Sequence, residues 1–485
     1  MIYDHPLIGW IYRSCPLPLQ NAMVSGYGLL QRKERHSPEF RRILAELKRT
    51  ERSSLAALEE LQAECLRKLI RHAYENVPYY RRVFEERHLT PPDIQTPADL
   101  YKLPVLTKQA VRKHADDLRA RNVSRHQYWI GRTGGSTGIP LKLLLDRSCI
   151  LFDHALIRRL WSWAGYEPGD RVVILRGLTL VPPNEHRGTY WRYDWGENKI
   201  YLSGFHLSSE VMPVYVQKLR EWKPKFIAGY PSCVFTLARF MEHAGEQIPA
   251  QAIFTSSEKL TELERSVIER QFQCKVWDRY GTGERLAVTQ QCEYGAYHQN
   301  VESGILQVDS PLGQPAAVGQ KGMLIQTGLT NFSMPLIRYA IGDIGSLVNG
   351  KCPCGRGLPL AGPVEGRKDD VIVTAEGRLM PRAGLDQIYE FVQNIERCQL
   401  VQRRVGEVII RVQPRPGFNH ADSEELVRQL RKRLGVGTTI GIEPVERLEL
   451  TATGKQRFIV SELDVDRITG MGLDLQSWKE KFSQT

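Results

Sequence analysis

The chain has 485 residues, with 66 Lys+Arg against 55 Asp+Glu and a formal net charge of +11. Hydrophobic residues make up 42% and charged residues 25%, which excludes a disordered chain, a collagen-like fibre and a small disulfide scaffold. A chain of this length has enough core for roughly two or three domains.

Positive charge invites a nucleic-acid reading, but its placement opposes one. The basic stretches at 32–35, 67–68 and 428–433 fall in segments of helical period, where they read as solvated helix faces. A small polyanionic substrate suits the charge equally well. Nine cysteines, an odd number in a long chain, read as cytosolic thiols rather than a disulfide framework. Pro6, Pro16 and Pro18 interrupt the amino-terminal stretch, and no apolar run approaches the ~18 residues of a membrane span. No signal peptide and no transmembrane segment are expected, and the expected location is the cytoplasm. A peripheral membrane contact through Trp10, Ile11 and Tyr12 stands open beside packing on the body.

In chain order, residues 38–90 read as helical, with Leu58, Leu61, Cys65, Leu69 and Ala73 at three- and four-residue steps and Pro78 ending the pattern. From about residue 130 short apolar strands alternate with helices. Strands are expected at 171–175, 226–228, 252–255 and 275–277, and helices at 211–222, 234–243 and 263–272. Such alternation implies parallel pairing with helices on the sheet faces. Beyond about 370 the rhythm changes to a compact α+β unit. A strand is expected at 405–412, a helix opened by Asp422 and Glu425 and ending at Leu434, and further strands at 439–443 and 447–450. The expected boundary lies near Lys368. No internal repeat is seen.

Four motifs carry chemistry. Thr133, Gly134, Gly135, Ser136, Thr137 and Gly138 form a glycine and hydroxyl loop able to surround phosphate oxygens, or simply a flexible turn. It lacks the Gly-Lys-Ser/Thr of a Walker loop. Tyr280, Gly281, Thr282, Gly283 and Glu284 follow a strand, where open parallel sheets bind ligands; a tyrosine there can stack on a base and a carboxylate can hold Mg²⁺. Arg338 to Asp343 reads Arg-Tyr-Ala-Ile-Gly-Asp, followed by Gly366, Arg367, Lys368, Asp369 and Asp370. An aspartate can accept from both hydroxyls of a ribose, with an arginine nearby donating to the same sugar. Lys455 lies on the late loop Thr451, Ala452, Thr453, Gly454. Singly, each motif is equally an ordinary turn or surface group.

Their order and spacing resemble the adenylate-forming superfamily, and within it the phenylacetate–coenzyme A ligase family, capsule-biosynthesis-type members included. The resemblance spans roughly residues 60–465, supported by Trp163-Ala164-Gly165-Tyr166, Gly229-Tyr230-Pro231-Ser232 and Thr255 with Ser256, Ser257 and Glu258. It implies an α/β architecture: a large multi-layer adenylation body over 1–368, with mostly parallel sheets flanked by helices. A small mobile α+β cap over 369–485 would carry the catalytic lysine.

The resemblance implies roles as well. The loop from Thr133 to Gly138 would hold the ATP phosphates. Ser256, Ser257 and Glu258 would border the adenine, with Tyr280 stacking on it and Gly281 and Thr282 beside it. Glu284 would ligate Mg²⁺, and Asp343 and Arg367 would bind the ribose. Asp369 would be the hinge, and Lys455 would reach the α-phosphate and the reacting carboxylate. The implied reaction joins a small-molecule carboxylic acid to coenzyme A through an acyl-adenylate. A carrier protein, amine or hydroxyl is the alternative acceptor, and a non-catalytic nucleotide-binding scaffold the third reading. A homodimer is left open, and nucleic acid is not an expected partner. Two departures stand out: Gly283 replaces the usual Ser/Thr before the metal-side glutamate, and Leu141 stands where many members have lysine.

Cys292, five residues before His298, and Cys352 with Cys354 make a set of three thiols and an imidazole suited to a closed tetrahedral zinc site, with buried thiols and a surface histidine as the alternative. Some members of the family it resembles carry a similar set, which favours structural Zn²⁺. Cys15, Cys65, Cys149, Cys233, Cys274 and Cys398 read as packing residues. Tyr230, Phe235 and Phe254 fall where the resemblance locates the acyl pocket and hint at an apolar or aryl acid, or are core.

Overall fold

The computed structural model describes residues 6–132, 141–178, 180–181, 189–208, 210–310, 313–367, 371–375, 379–381, 385, 392, 394–451 and 454–463. The loop Thr133 to Gly138, Lys368 and the expected hinge Asp369 lie outside the described residues, as does the side chain of Arg367. The described chain forms two compact units, one of Met1–Leu30, Pro168–Val276 and Glu365–Thr485, the other of Gln31–Glu167 and Trp277–Val364. The expected α/β class with helices flanking the sheets holds.

In the second unit, helices Pro38–Thr50, Leu55–Asn76 and Pro78–Glu86 follow one another. Ser37 and Ser54 cap the first two, accepting from the Phe40 and Ala57 amides at 3.2 and 3.3 Å. As expected, the helix that carries the Leu58 to Ala73 pattern ends before Pro78, and Pro78 is itself the first residue of a third helix, where a missing N–H costs nothing. Leu66, Leu69, Ile70 and Phe84 pack with Leu143, Leu336 and Tyr339 in the core of this unit. Strands Gly304–Asp309, Gly322–Gly328 and Tyr339–Gly345 form an antiparallel sheet. The hairpin Tyr128–Arg132 and Lys142–Asp146 pairs Arg132 with Lys142.

The interior of this unit holds a charge. Arg159, fully buried on helix Arg147–Trp163, donates to Glu302 at 2.8 Å and to the Leu47 carbonyl at 2.8 Å. Thr50 completes the carboxylate's shell, its hydroxyl donating to Glu302 at 2.6 Å. Burial opposes the Glu302 carboxylate, but the guanidinium and Thr50 outweigh it and hold its pKa below the usual value.

In the first unit, strands Val172–Arg176, Lys199–Ser203, Phe226–Gly229 and Ala252–Ser256 pair in parallel, and Trp191–Asp194 adds an antiparallel edge. Helices Met212–Trp222, Pro231–His243 and Glu262–Phe272 connect them, as the alternating pattern implied. Lys223, in the left-handed region at φ 49°, ends the first of these. Helix Leu17–Glu34 covers the edge strand with a polar face: the Asn21 side chain accepts from the Tyr193 amide and Ser25 from the Trp195 amide, both at 3.0 Å. Those bonds occupy donors that an open edge would offer to another chain. Tyr12 is buried, its hydroxyl donating to the Leu180 carbonyl at 2.9 Å, whereas Trp10 and Ile11 stay on the surface. Among the described residues, no helix is long and apolar enough to cross a membrane.

The carboxyl-terminal part of this unit is α+β. Strands Ile395–Arg404 and Glu407–Pro414 are antiparallel, Thr439–Pro444 runs parallel to the second and Ile459–Ser461 to the first. Helix His420–Leu434 packs Leu426, Leu430 and Leu434 against Cys398, Leu400 and Ile410. Its cap is Asn419, in a box with Asp422, so the helix opens earlier than an Asp422 start implies. Residues 447–450 form no strand.

The buried ion pair generates a stability prediction. Glu302→Ala strands the Arg159 charge and should cost about 3–5 kcal/mol, read as a lower urea midpoint of unfolding. The double replacement Arg159→Met with Glu302→Leu should be milder than the single one. Equal or greater loss in the double variant would contradict this reading.

Candidate functional site

The motif residues fall in both units, and each group is described within its own. In the second unit, strand Lys275–Tyr280 delivers the turn that carries Thr282 and Glu284. The Tyr280 hydroxyl donates to Asp343 Oδ2 at 2.7 Å and accepts from Gln326 Nε2 at 2.9 Å. Burial, then the Asp343 carboxylate, pushes the phenol well above its usual pKa, so it stays a neutral donor. Asp343 owes its position to an irregularity in strand Tyr339–Gly345: the register shifts between Met323 and Ile325, and Gly342 takes φ +85°. The Arg285 amide closes the turn onto the Thr282 carbonyl at 3.1 Å, with Arg285 itself left-handed at φ 55°. Both Arg279 and Arg285 pair with Asp153, one on each oxygen. Burial works against the Asp153 carboxylate, but the two guanidiniums outweigh it and hold its pKa below the usual value.

Glu284 is buried in this turn. The Thr282 hydroxyl oxygen is buried with no hydrogen-bond partner among the described residues. A buried carboxylate beside an unsatisfied hydroxyl is a donor set that fits a hard divalent cation and phosphate oxygens. Arg338, at the start of the motif that holds Asp343, is part of the core. Its side chain is buried in an ion pair with Asp309 at 2.8 Å and donates to the Leu103 carbonyl at 3.2 Å.

In the first unit, strand Ala252–Ser256 ends at Ser256, and Ser257 turns the chain in the left-handed region at φ 74°. The Ser257 carbonyl accepts from the Lys455 ammonium at 3.1 Å. Glu258 Oε2 accepts from the Ser232 amide at 3.1 Å, in the first turn of helix Pro231–His243. The lysine loop is closed by Thr451, whose carbonyl accepts from the Gly454 amide at 2.7 Å and whose hydroxyl accepts from the Lys455 amide at 3.0 Å. Gly454, at φ +72°, lies so close to Gly177 that a Cβ would come within 2.1 Å of the Gly177 Cα. Tyr230 stands between two cations, with Lys455 Nζ 5.6 Å and Arg176 Cζ 5.8 Å from its ring centroid.

Phe254 stacks on Phe226 at 5.7 Å between ring centroids, and Phe235 and Tyr230 belong to the helix–sheet core cluster. Gln326, Gly177 and Arg176 carried no signal in sequence. Each is an ordinary residue in or just after a strand, and only the fold brings it to the motifs.

The cysteine set converges. The ligand atoms of Cys292, His298, Cys352 and Cys354 all lie within 4.8 Å of one another. Cys292 and Cys352 sulfurs are 3.5 Å apart, and Cys354 Sγ is 3.4 Å from His298 Nε2. His298 Nδ1 faces the Leu358 carbonyl at 3.2 Å, which leaves Nε2 as the ligating nitrogen. Burial lowers the imidazole's pKa and favours the neutral ring, and it pushes the Cys352 thiol up to about 12. Burial also opposes the Cys354 thiolate, but hydrogen bonds from Arg356 outweigh it and hold its pKa below the usual value. Three sulfurs and one nitrogen at this spacing fit one tetrahedral metal ion. The other six cysteines are free thiols, with Cys149, Cys233 and Cys398 buried.

Comparison with known proteins agrees with this geometry. Residues 372–462 match the CapK C-terminal domain family. Over 467 residues the chain is 26% identical to Protein CapK of Staphylococcus aureus, covering 94% of this chain and 100% of that protein. It is 25% identical over 451 residues to a phenylacetate–coenzyme A ligase of Thermus thermophilus, covering 86% and 98%. Its fold matches a solved 2-hydroxyisobutyryl-CoA ligase in its postadenylation state, with a TM-score of 0.67 and 21% identity over 89% of this chain and 94% of the other.

The fold is therefore that of an adenylate-forming ligase. The resemblance to the phenylacetate–coenzyme A ligase family, capsule-type members included, is borne out.

Proposed function

We propose that the protein is an AMP-forming ligase: it activates a carboxylic acid with ATP to an acyl-adenylate and pyrophosphate, then passes the acyl group to a thiol. The observation that carries this reading is Lys455, whose ammonium reaches the Ser257 carbonyl just past a strand end while Gly454 closes on Gly177. Attack of a carboxylate oxygen on the α-phosphate gathers negative charge, and a preorganised ammonium offsets it without reorganising at the moment of reaction. Asp343 and the Arg367 side chain would take the ribose hydroxyls, and Tyr280, held by Asp343, would face the base beside Ser256, Ser257, Glu258 and Gly281. The loop Thr133, Gly134, Gly135, Ser136, Thr137 and Gly138 would hold the β- and γ-phosphates. Mg²⁺, held by Glu284 with Thr282 nearby, would neutralise phosphate charge.

Residues 369–485 would act as the mobile cap, turning about Asp369 to withdraw Lys455 and admit the second nucleophile. The match of residues 372–462 to a C-terminal domain family supports that division. Coenzyme A is the acceptor favoured by the ligases among the relatives; a carrier-protein thiol, an amine or a hydroxyl would complete the same second step. The relevant setting is the cytoplasm, where ATP and coenzyme A are available. The Cys292, His298, Cys352 and Cys354 set would hold a structural Zn²⁺ with no open position for catalysis.

Two outcomes are expected. ATP–pyrophosphate exchange with a panel of acids should fall at least ~100-fold in Lys455→Ala, whereas unchanged exchange would remove the lysine from the chemistry. Elemental analysis of protein purified without chelator should find one zinc per chain, lost together with thermal stability in Cys352→Ser. Metal-free wild-type protein of unchanged stability would contradict the zinc assignment.

A further inference from the structure

Two arginines of the lysine-bearing unit that are not exposed have no hydrogen bond or ion pair among the described residues. Arg176 ends strand Val172–Arg176, and its Nε is buried without a partner; its guanidinium meets only the Tyr230 ring. Arg397, on strand Ile395–Arg404, is only 6% exposed, and its Nε is likewise unsatisfied. Other buried arginines differ. Arg159, Arg338 and Arg356 also have an unsatisfied Nε, but their terminal nitrogens hold Glu302, Asp309 and Glu293.

Contacts along the chain bring the pair to one locality. Arg397 is in register with Gln413, whose side chain accepts from the Leu448 amide at 3.3 Å. The neighbouring Arg447 donates to the Phe205 carbonyl, and Gly204 beside it packs on Arg176: a Cβ there would lie 2.8 Å from the Arg176 carbonyl carbon and 3.0 Å from the Cys233 sulfur. Of the nearby carboxylates, Glu258 accepts from the Ser232 amide through Oε2 while its Oε1 is buried without a hydrogen bond, and burial raises the Glu396 carboxyl towards its neutral form against the pull of Arg397. Arg397 is buried and Arg176 half-buried, and guanidiniums shielded from water without a carboxylate partner are poised for an anion from outside the chain.

We infer that Arg176 and Arg397 form a recognition site for a second anionic group on the acid being activated, so that the substrate is a dianionic acid, a dicarboxylate or a phosphorylated acid. This rests on the adenylation reading above, because Arg176 and Lys455 contact the same Tyr230 ring, putting the second anion a short spacer from the reacting carboxylate. Guanidiniums suit this task, donating in a fork to carboxylate or phosphate oxygens.

The test is pyrophosphate exchange, without any acceptor, on short dicarboxylates paired with their monomethyl esters and on phosphorylated acids. Wild-type protein should favour the dianionic member. Arg176→Gln and Arg397→Gln should each lower kcat/KM for it by ~10- to 100-fold while leaving the monoester unchanged, and Arg176→Lys should recover part of the loss. Equal losses on both members would indicate damaged folding and overturn the assignment, as would a dianion preference that survives both replacements. Exchange left intact with a raised KM for coenzyme A would give the anion to the acceptor and overturn it as well. No exchange with any acid in wild-type protein would instead overturn the adenylation reading on which the assignment rests.

Discussion

An ammonium can act on a phosphate at the end of a sheet only if the backbone that bears it comes into contact with the sheet. Here that approach is Gly454 on Gly177, with no room for a Cβ and with a left-handed φ at Gly454 that a side chain would strain. Thr451 closes the loop through its carbonyl and hydroxyl, so Lys455 leaves it in a fixed direction and meets the Ser257 carbonyl. The reading of this protein as a ligase depends on that close contact more than on any single polar group.

A second constraint is how buried charge is held. The turn bearing Thr282 and Glu284 is braced on both sides by guanidiniums sharing Asp153, and Tyr280 is tied to Asp343. On the helix that also carries Asp153, Arg159 meets the same problem with the Glu302 carboxylate, the Thr50 hydroxyl and the Leu47 carbonyl. Ion-paired buried charges fix geometry, because any shift would strand an ion in a medium of low dielectric. Arg176 and Arg397 stand out against this pattern.

Much of the parallel sheet was legible from sequence because its strands are short apolar runs between helices of clear period, as at Val172–Arg176 and Phe226–Gly229. What was not legible has physical reasons. Strand Ile395–Arg404 buries Glu396, Arg397, Gln399 and Gln402, so it shows no apolar alternation. Proline closes one helix and opens the next equally well, which hid the start at Pro78. The cysteine set was readable from spacing, and the fold brings its ligands together. Arg338 sits inside a motif that suggested sugar contact, yet its partner Asp309 is set by tertiary structure. Lys455 and Ser257 lie 198 residues apart, a distance no local pattern spans.

The central claim is that a carboxylate oxygen of the substrate attacks the α-phosphate of ATP. It is tested most directly with an acid labelled with ¹⁸O in its carboxylate, followed through complete turnover to the thioester. If the acyl group passes through an adenylate, cleavage of the acyl–oxygen bond leaves a single labelled oxygen in the AMP released. Unlabelled AMP, or ADP with phosphate as the products, would contradict the account.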